Sequence, residues 1–383
     1  MLLSIGEAFR AVPAIATAAS IGYCLLATFA AIRFARQRNA GASAATSLPP
    51  VSILKPLKGA DPEMYEALRS HCVQEYPEYE MLCGVTAADD PAVPVVERLI
   101  REFPEAKIRL LLCDKRLGAN GKVSSLLQLV AAANAEFLVV NDSDIRVSPD
   151  YLRTIITELQ QASTGLVTCL YRGTPGGTLA SRLESQGIST DFVPGVLTAD
   201  LIENGIHFGL GSTLGFRKSD LQEIGGFEAI VDYLADDYEL GHRMAQHKKI
   251  VLSRSVVETH LPDYDFSGFM SHQLRWARTI RASRPGGYAG LLLTFTVPWA
   301  VAGICVCRNS LSFGFLAAAL VARIAMALVS SRLVLRERSA SLWLLPVRDF
   351  VAVGVWLAGL GGRKITWRGE KFTLEQGRLK RVS

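Results

Sequence analysis

The chain has 383 residues, carries a net charge of +5, and is 49% hydrophobic. This length allows more than one domain. The apolar residues cluster in long stretches, which argues against a purely soluble protein. The sequence contains no basic patch interleaved with aromatic residues, which argues against nucleic acid as a partner. The seven cysteines form no CxxC pair, which argues against a zinc site and favours reduced thiols.

The first apolar stretch, Ala11 to Ile32, has no charged residue and is long enough to cross a bilayer. Arg33, Arg36 and Arg38 follow it, whereas a cleavable signal peptide carries its charges first. We therefore predict an uncleaved membrane anchor over residues 1–35 and a linker over residues 36–50. The positive-inside rule places the residues after Arg33 in the cytoplasm.

From residue 51 onward, short apolar runs alternate with helical patterns. This β-α-β alternation is typical of an α/β fold with a parallel, doubly wound sheet, which binds ligands beyond the carboxyl ends of its strands. We predict such a domain over residues 51–264. The pattern predicts strands over 51–54, 80–85, 108–113 and 137–141, and helices over 62–74, 91–103 and 122–133.

The stretch EFLVVNDSDIRV, Glu136 to Val147, places two aspartates just after the fourth predicted strand. Asp142 and Asp144 are separated by one residue, so a turn at the strand end can direct both carboxylates toward one point. Mg²⁺ binds one or two carboxylates together with substrate phosphates. The pair therefore predicts a site for Mg²⁺ or Mn²⁺ with a nucleotide, and the capping of a turn is the alternative.

Further polar residues follow the other strands. Lys55 ends the first strand, and Asp89 and Asp90 follow the second. Lys122 begins the third helix, where backbone N–H groups and the helix dipole favour phosphate; an exposed surface lysine is the alternative. Gly211 lies in a run of small residues that permits close approach of a ligand.

Two adjacent carboxylates, Asp236 and Asp237, precede a predicted helix that runs to His247. Either aspartate is expected to cap that helix. A carboxylate that faces a metal-nucleotide site also supplies a general base.

A basic helix, assigned to residues 265–289, follows the α/β domain. Between Phe266 and Arg284, arginines recur every three residues with bulky apolar residues between them. This pattern predicts a helix at the membrane surface, and a solvated face on an ordinary helix is the alternative.

The last third of the chain, residues 290–361, is again apolar. Gly290 to Cys307 and Leu311 to Ser331 form a predicted membrane hairpin, and Arg323 inside it is either a functional or a snorkelling residue. Ser341 to Gly361 is a third apolar stretch, interrupted by Arg348 and Asp349.

A basic tail, residues 362–383, follows the third stretch and holds seven lysines and arginines. The positive-inside rule favours a re-entrant or interfacial third stretch, which keeps the tail in the cytoplasm. An ordinary span in which Arg348 pairs with Asp349 is the alternative.

Several motifs, taken together and in order, resemble those of the ceramide glucosyltransferase family and of its bacterial relatives that glycosylate hopanoid lipids. The members of this family are membrane-bound GT-A enzymes. The likeness spans nearly the whole chain. The motifs are VSILKPLKGADP at Val51 to Pro62, DDPA at Asp89 to Ala92, the G-x-N-x-K run at Gly118 to Lys122, NDSDIRV at Asn141 to Val147, LADDYELG at Leu234 to Gly241 and QLRW at Gln273 to Trp276.

The resemblance implies an inverting transfer of glucose from UDP-glucose to the hydroxyl of a ceramide-type lipid, at the cytoplasmic face of a bacterial-type inner membrane. It implies metal binding by Asp142 and Asp144, with Asp237 as the general base. The residues assigned to the nucleotide sugar are Lys55, Asp89, Asp90, Lys122, Asp142, Arg275 and Trp276; those assigned to the acceptor are Gly211, Asp236 and His272.

Two positions depart from the family pattern. Ala87 stands where an Asp is usual, so recognition of uracil would fall to Asp89 or Asp90. His272 stands where the R-W signature usually opens with Gln or Arg.

Three other functions are compatible with the same residues. One is a hopanoid-specific N-acetylglucosaminyltransferase that uses UDP-N-acetylglucosamine. A processive polysaccharide synthase would need a transmembrane channel, for which the apolar stretches are few. A noncatalytic nucleotide- or lipid-binding relative is the third.

Overall fold

A computed structural model of the chain describes residues 5–39, 47–337, 341–367 and 370–381. The chain divides into a sheet unit within Ala40–Thr174, Glu203–Pro262 and Lys364–Ser383, and a helical unit within Met1–Asn39, Pro175–Ile202 and Asp263–Arg363. This division differs from the predicted one at two places. Residues 175–202, inside the predicted α/β domain, belong to the helical unit, and the basic tail belongs to the sheet unit.

The first helix extends past the predicted anchor into the predicted linker. The elements up to the end of β4 otherwise follow the hydrophobic pattern closely. In chain order they are α1 (Ile5–Asn39), β1 (Val51–Pro56), α2 (Met64–Cys72), β2 (Tyr79–Val85), α3 (Val93–Glu102), β3 (Lys107–Leu112), α4 (Gly121–Ala132) and β4 (Phe137–Val140).

The central part of the chain mixes short strands with helices. In chain order its elements are β5 (Ile145–Arg146), α5 (Tyr151–Leu159), β6 (Thr164–Thr174), α6 (Leu179–Gly187), α7 (Val193–Ile202), β7 (Leu214–Arg217), α8 (Lys218–Glu223), α9 (Asp236–Met244) and β8 (Lys249–His260). A π-helical turn, Ile188–Phe192, joins α6 to α7.

The eight strands form one sheet in the order β3-β2-β1-β4-β7-β6-β8-β5. Strands β1 to β4 pair in parallel, as the β-α-β alternation predicts. Strand β7 runs antiparallel to both of its neighbours, so the sheet is mixed and not wholly parallel. The alternation of strand and helix patterns in the sequence ends at β4. The purely parallel part of the sheet, β1 to β4, ends at the same strand.

Strand β4 is buried on both faces of the sheet. Leu138, Val139 and Val140 are each 0% exposed, which is the pattern of a strand covered by helices on both sides. Val139 packs in a core with residues of β1, β2, α2, α3 and α5. This burial fixes the end of β4, so that Asn141 to Asp144 leave the sheet at a defined point.

The helical unit contains the apolar stretches. Its later helices are α10 (Phe266–Ser283), α11 (Pro285–Gly290), α12 (Thr296–Val306), α13 (Ser310–Leu328) and α14 (Leu345–Leu360). Three helical stretches are long and apolar enough to cross a membrane: Arg10–Arg38, Ser310–Val334 and Leu342–Leu360. A fourth, Pro285–Thr294 with Thr296–Val306, is bent by 59° at a short break.

Arg323 on α13 is 2% exposed and does not snorkel to an interface. Its guanidinium lies 2.7 Å from Asp349 Oδ1 and 2.5 Å from Asp191 Oδ1. Arg348 binds the other oxygen of Asp191 at 2.9 Å, so Arg348 and Asp349 each have a different partner. Two cations and two carboxylates therefore form one network that joins α13, α14 and the π-helical turn.

The basic helix α10 lies alongside α14. Near its middle, Gln273 Oε1 accepts a hydrogen bond from Arg348 at 3.1 Å. Near its end, Arg281 donates to the carbonyls of Gly359, at 2.6 Å, and Gly362, at 2.8 Å. A cation at a helix C-terminus satisfies the last carbonyls and the helix dipole. Part of the predicted basic face therefore binds protein backbone.

The C-terminal tail forms a three-stranded antiparallel sheet. Its strands are β9 (Lys364–Trp367), β10 (Glu370–Glu375) and β11 (Arg378–Arg381). Phe372 and Leu374 are 2% and 6% exposed, and Leu379, opposite Leu374, is 4% exposed. Gln376 and Gly377, both at positive φ, make the two-residue turn between β10 and β11. The tail is thus a folded part of the sheet unit.

Candidate active site

The D-x-D turn is anchored by Asn141, which is fully buried. Its amide nitrogen donates to Ser212 O at 2.8 Å, to Tyr151 Oη at 2.9 Å and to Thr213 Oγ1 at 3.1 Å. These bonds hold the end of β4 against α5 and the 210–213 turn. The two aspartates that follow are therefore presented from a rigid backbone.

Two lysines contact Asp142. Lys122 Nζ lies 2.8 Å from Asp142 Oδ1, and Lys55 Nζ donates to the Asp142 carbonyl at 3.2 Å. Burial lowers the pKa of Lys55 to about 7. Burial opposes the charge of Lys122 as well, but the carboxylates of Asp142 and Asp236 raise its pKa above the usual value. Lys122 is not an exposed surface lysine, since its side chain is 16% exposed.

Asp144, the second aspartate of the motif, accepts a hydrogen bond from Thr259 Oγ1 on β8. Burial, and then the nearby charge of Asp142, raise the pKa of Asp144. Ser143 between them donates to Asp61.

Asp236 and Asp237 occupy the first turn of α9, and neither caps it, because the N-cap residue is Ala235. Asp236 turns toward Lys122, with its Oδ2 3.2 Å from the Lys122 Nζ. Asp237 Oδ2 accepts the Gly211 N–H at 2.8 Å, and Asp237 Oδ1 accepts the Tyr238 N–H at 2.8 Å. Burial, and then the charge of Asp236, raise the pKa of Asp237 to about 6.

Gly211 lies next to both the Asp142 carboxylate of the D-x-D turn and the Asp237 carboxylate of α9. A Cβ atom added to Gly211 would lie 3.2 Å from Asp237 Oδ2 and 3.4 Å from Asp142 Oδ2. Both carboxylates therefore face the same glycine. The structure thus brings together Lys55, Lys122, Asp142, Gly211, Asp236 and Asp237.

The two aspartates after β2 differ in their surroundings. Asp90 is buried, and its Oδ1 accepts the N–H groups of Gly59 and Ala92, both at 2.9 Å. Asp89 is exposed. Asp90 therefore holds the loop after β1 in place, and the carboxylate of Asp89 is the one that faces solvent.

His272, Arg275 and Trp276 lie on α10 in the helical unit. The rings of His272 and Trp276 have centroids 5.3 Å apart, and Phe192 lies 6.2 Å from Trp276. His272 Nδ1 lies 2.9 Å from Glu184 Oε1, a carboxylate that is 3% exposed.

Asn120 is a residue of the site to which the sequence assigned no role. Its amide nitrogen donates to Tyr233 O at 2.8 Å and lies 3.5 Å from Asp236 Oδ1, and its Oδ1 accepts the Val123 N–H as the N-cap of α4. The G-x-N-x-K run contained the signal, because Asn is a preferred N-cap residue. Asn120 thereby aligns the start of α4, which carries Lys122, with the loop before α9.

The donor set of the site consists of oxygen atoms. Among the described residues, no cluster of three His, Cys, Asp or Glu side chains is placed to hold a metal by itself. Asp142 and Asp144 offer two carboxylates, which suits Mg²⁺ or Mn²⁺ when phosphate and water complete the shell.

Comparison with known proteins places the chain among glycosyltransferases. The model of the family described as "Glycosyl transferase family 21" matches residues 12–380. Ceramide glucosyltransferase 3 of Caenorhabditis elegans is 27% identical over 63% of this chain and 52% of its own length. A ceramide glucosyltransferase of Komagataella phaffii is 34% identical over 29% of this chain and 23% of its own length. The chain thus spans about half, or less, of the length of these relatives.

A solved structure supports the fold. The mannosyltransferase PcManGT from Pyrobaculum calidifontis, in complex with GDP-Man and Mn²⁺, has a TM-score of 0.55 and 20% identity, over 92% of this chain and 99% of that chain. The sheet unit therefore has the GT-A fold that the sequence predicts.

Proposed function

Because the chain belongs to glycosyl transferase family 21, we propose that it transfers glucose from UDP-glucose to the hydroxyl of a ceramide-type membrane lipid. The convergence of the Asp142 and Asp237 carboxylates at Gly211 carries this proposal. One carboxylate belongs to the D-x-D turn, and the other belongs to the second residue of α9, a helix that opens with two aspartates. A donor-binding group and a base are thereby placed side by side, as a direct displacement requires.

Asp237 serves as the general base. A lipid hydroxyl has a pKa far above neutral, so a group must take its proton as it attacks the sugar. Two backbone N–H groups orient the Asp237 carboxylate, and its raised pKa of about 6 leaves it ionised at neutral pH but basic enough to accept a proton. A single base opposite the leaving group gives inversion at the sugar carbon.

Asp236 has a different task. Its side chain is 8% exposed and pairs with Lys122, which also pairs with Asp142. Asp236 therefore holds the Lys122 ammonium in place. Lys122 stands at the start of α4, where it neutralises negative charge from a bound diphosphate.

Asp142 and Asp144 would hold Mg²⁺ or Mn²⁺. Two carboxylates at the end of one strand fit a hard cation that takes its other ligands from phosphate and water. When bound, the cation supplies stabilisation of the charge that develops on the UDP leaving group. Arg275 and Trp276 of α10 act on the same diphosphate in this proposal, and Asp89 supplies the exposed carboxylate for uracil.

The acceptor is delivered from the bilayer. Three helical stretches of the chain are long and apolar enough to cross a membrane, and the residues after Arg33 are placed in the cytoplasm by the charge rule. The catalytic reaction then takes place at the cytoplasmic face of an inner membrane.

Mass spectrometry of lipids tests this function. Membranes that contain the wild-type chain or Asp237→Asn are incubated with isotopically labelled UDP-glucose or UDP-N-acetylglucosamine. We expect a hexose-labelled lipid from UDP-glucose with the wild type only. If lipid is labelled only from UDP-N-acetylglucosamine, the donor is UDP-N-acetylglucosamine and the assignment of UDP-glucose is wrong. If neither donor labels any lipid, the proposed function is overturned.

A further inference from the structure

The C-terminal sheet, β9 to β11, binds the loop that leads into the catalytic aspartates. Leu234 N donates to Gly377 O at 3.0 Å, and Leu379 N donates to Asp232 O at 2.7 Å. The Arg378 guanidinium lies 5.0 Å from the centre of the Tyr233 ring. Because α9 begins at Asp236, these contacts fix the backbone from which Asp236 and Asp237 project.

The same sheet binds a second loop through a carboxylate. Glu370 accepts two hydrogen bonds from Arg116, at 3.1 and 3.2 Å, and two from Arg381, at 2.8 and 3.2 Å. The bond from Arg116, and then that from Arg381, lower the pKa of Glu370 to about 2. Arg116 in turn donates to the carbonyls of Gly118 and Ala119, at 3.2 and 3.1 Å.

The two loops are also bonded to each other. Ala119 N donates to Asp232 Oδ1 at 2.9 Å, and Asn120 N donates to Val231 O at 2.8 Å. A Cβ atom on Gly118 would lie 2.5 Å from a Val231 methyl group, so the loops touch directly. One loop leads to Lys122, and the other leads to Asp237.

We propose that the C-terminal sheet is a positioning element of the active site, with Glu370 as its central residue. By holding the 116–120 and 231–234 loops against each other, it sets the distance between Lys122 and the two aspartates of α9. This inference rests on the proposed function. It gives the C-terminal strands a role in turnover although none of their residues is assigned to substrate.

The test compares two neutralising substitutions on one strand. Glu370→Gln removes the charge that binds Arg116. Glu375→Gln, at the other end of β10, removes the charge that pairs with Lys380 in an exposed contact, and serves as the matched control. Arg378→Gln loosens the Tyr233 contact independently. For each full-length protein, kcat, the KM for UDP-glucose and the midpoint of thermal unfolding are measured.

We expect Glu370→Gln and Arg378→Gln to lower kcat by at least about tenfold, as a small displacement of a catalytic group does. The unfolding midpoint of Glu370→Gln should also fall below that of Glu375→Gln, because the bonds from Arg116 and Arg381 are lost; kcat is therefore measured well below every midpoint. A merely structural role would lower the midpoint and leave kcat at the Glu375→Gln value. Equal kcat values in all three variants would overturn the inference and leave the proposed function intact.

Hydrogen exchange provides a readout that does not depend on activity. In Glu370→Gln, the amides of residues 116–122 and 231–237 should exchange faster than in Glu375→Gln. Unchanged exchange in both segments would contradict the positioning role. A wild type that transfers no sugar would overturn the proposed function, and the exchange result would still decide whether the sheet holds the two loops.

Discussion

Lys122 Nζ lies 2.8 Å from Asp142 Oδ1, so a cation from the start of α4 neutralises the first carboxylate after β4. The same ammonium lies 3.2 Å from Asp236 Oδ2. One lysine therefore connects the D-x-D turn to the two aspartates of α9. Substitutions at Lys122 should consequently affect both the donor side and the base.

We expect the transfer rate to fall as the pH drops below about 6. The folded-state pKa of Asp237 is raised to about 6, and only the ionised carboxylate accepts a proton. Below that pH the rate should decline about tenfold for each pH unit. The measurement is kcat/KM for the donor between pH 5 and 8, with the folded fraction checked at each pH. A flat profile across this range would contradict Asp237 as the base.

Substitution of Lys122 by Gln should shift that profile upward. The Lys122 cation lowers the pKa of Asp237, although burial and Asp236 raise it more, so its removal raises the pKa further. The acidic limb should therefore lie at a higher pH than in the wild type. Lys115→Gln, an exposed lysine on the preceding loop, is the control and should leave the limb unmoved.

Metal dependence should follow from Asp142 and Asp144. Asp142→Ala or Asp144→Ala should abolish transfer, and a chelator should silence the wild type until Mg²⁺ or Mn²⁺ is added. The physical reason is that the diphosphate leaving group needs a cation to stabilise its charge. Full turnover in excess chelator would remove the metal from the proposal.

The early strands and the D-x-D turn could be predicted from the sequence because they depend on local signals. Leu138 to Val140 form a short apolar run, and such a run that is buried on both faces is the pattern of a parallel strand. The antiparallel pairing of β7 depends on contacts between residues far apart in the chain. No periodicity in the sequence reports such contacts.

The fold of the C-terminal tail is not evident from its composition. Its lysines and arginines suggest a basic segment, yet Phe372, Leu374 and Leu379 alternate with polar residues around the Gln376-Gly377 turn. That alternation is typical of a hairpin, but it is short and lies among seven lysines and arginines, which are the stronger signal in this stretch. The role of Glu370 depends on partners far away in the sequence, Arg116 above all, so the sequence alone could not assign it.

The buried network around Arg323 should contribute strongly to stability. Replacing Arg323 by Met leaves Asp349 buried without its partner, which costs about 3 to 5 kcal/mol. Asp349→Leu in the Arg323→Met background should restore much of the loss, because the uncompensated charge is gone. Thermal unfolding in detergent measures both variants. If the double variant is no more stable than Arg323→Met, charge pairing is not the cause.

The chain end should lie on the same side of the membrane as the active site. Strand β11 and the turn before it are bonded to the loop at 232–234 in the same unit, so an even number of crossings should separate that loop from the tail. A re-entrant or interfacial α14, lying along α10, satisfies this condition.

Cysteine labelling tests this topology in intact cells. In a background without native cysteines, Ser383→Cys should resist a membrane-impermeant maleimide. Arg308→Cys, in the exposed turn between α12 and α13, should react and so validates the reagent. Labelling of Ser383→Cys in intact cells would place the tail outside and contradict the proposed topology.

The most direct measurement of the central claim compares Asp237→Asn with Asp236→Asn for turnover and for UDP-glucose binding by isothermal titration. Asp237→Asn should lose turnover by at least about a hundredfold, the usual scale for loss of a general base, and should bind UDP-glucose as the wild type does. Asp236→Asn should lose less turnover. Turnover that survives in Asp237→Asn, or that falls further in Asp236→Asn, would contradict the assignment of Asp237 as the base.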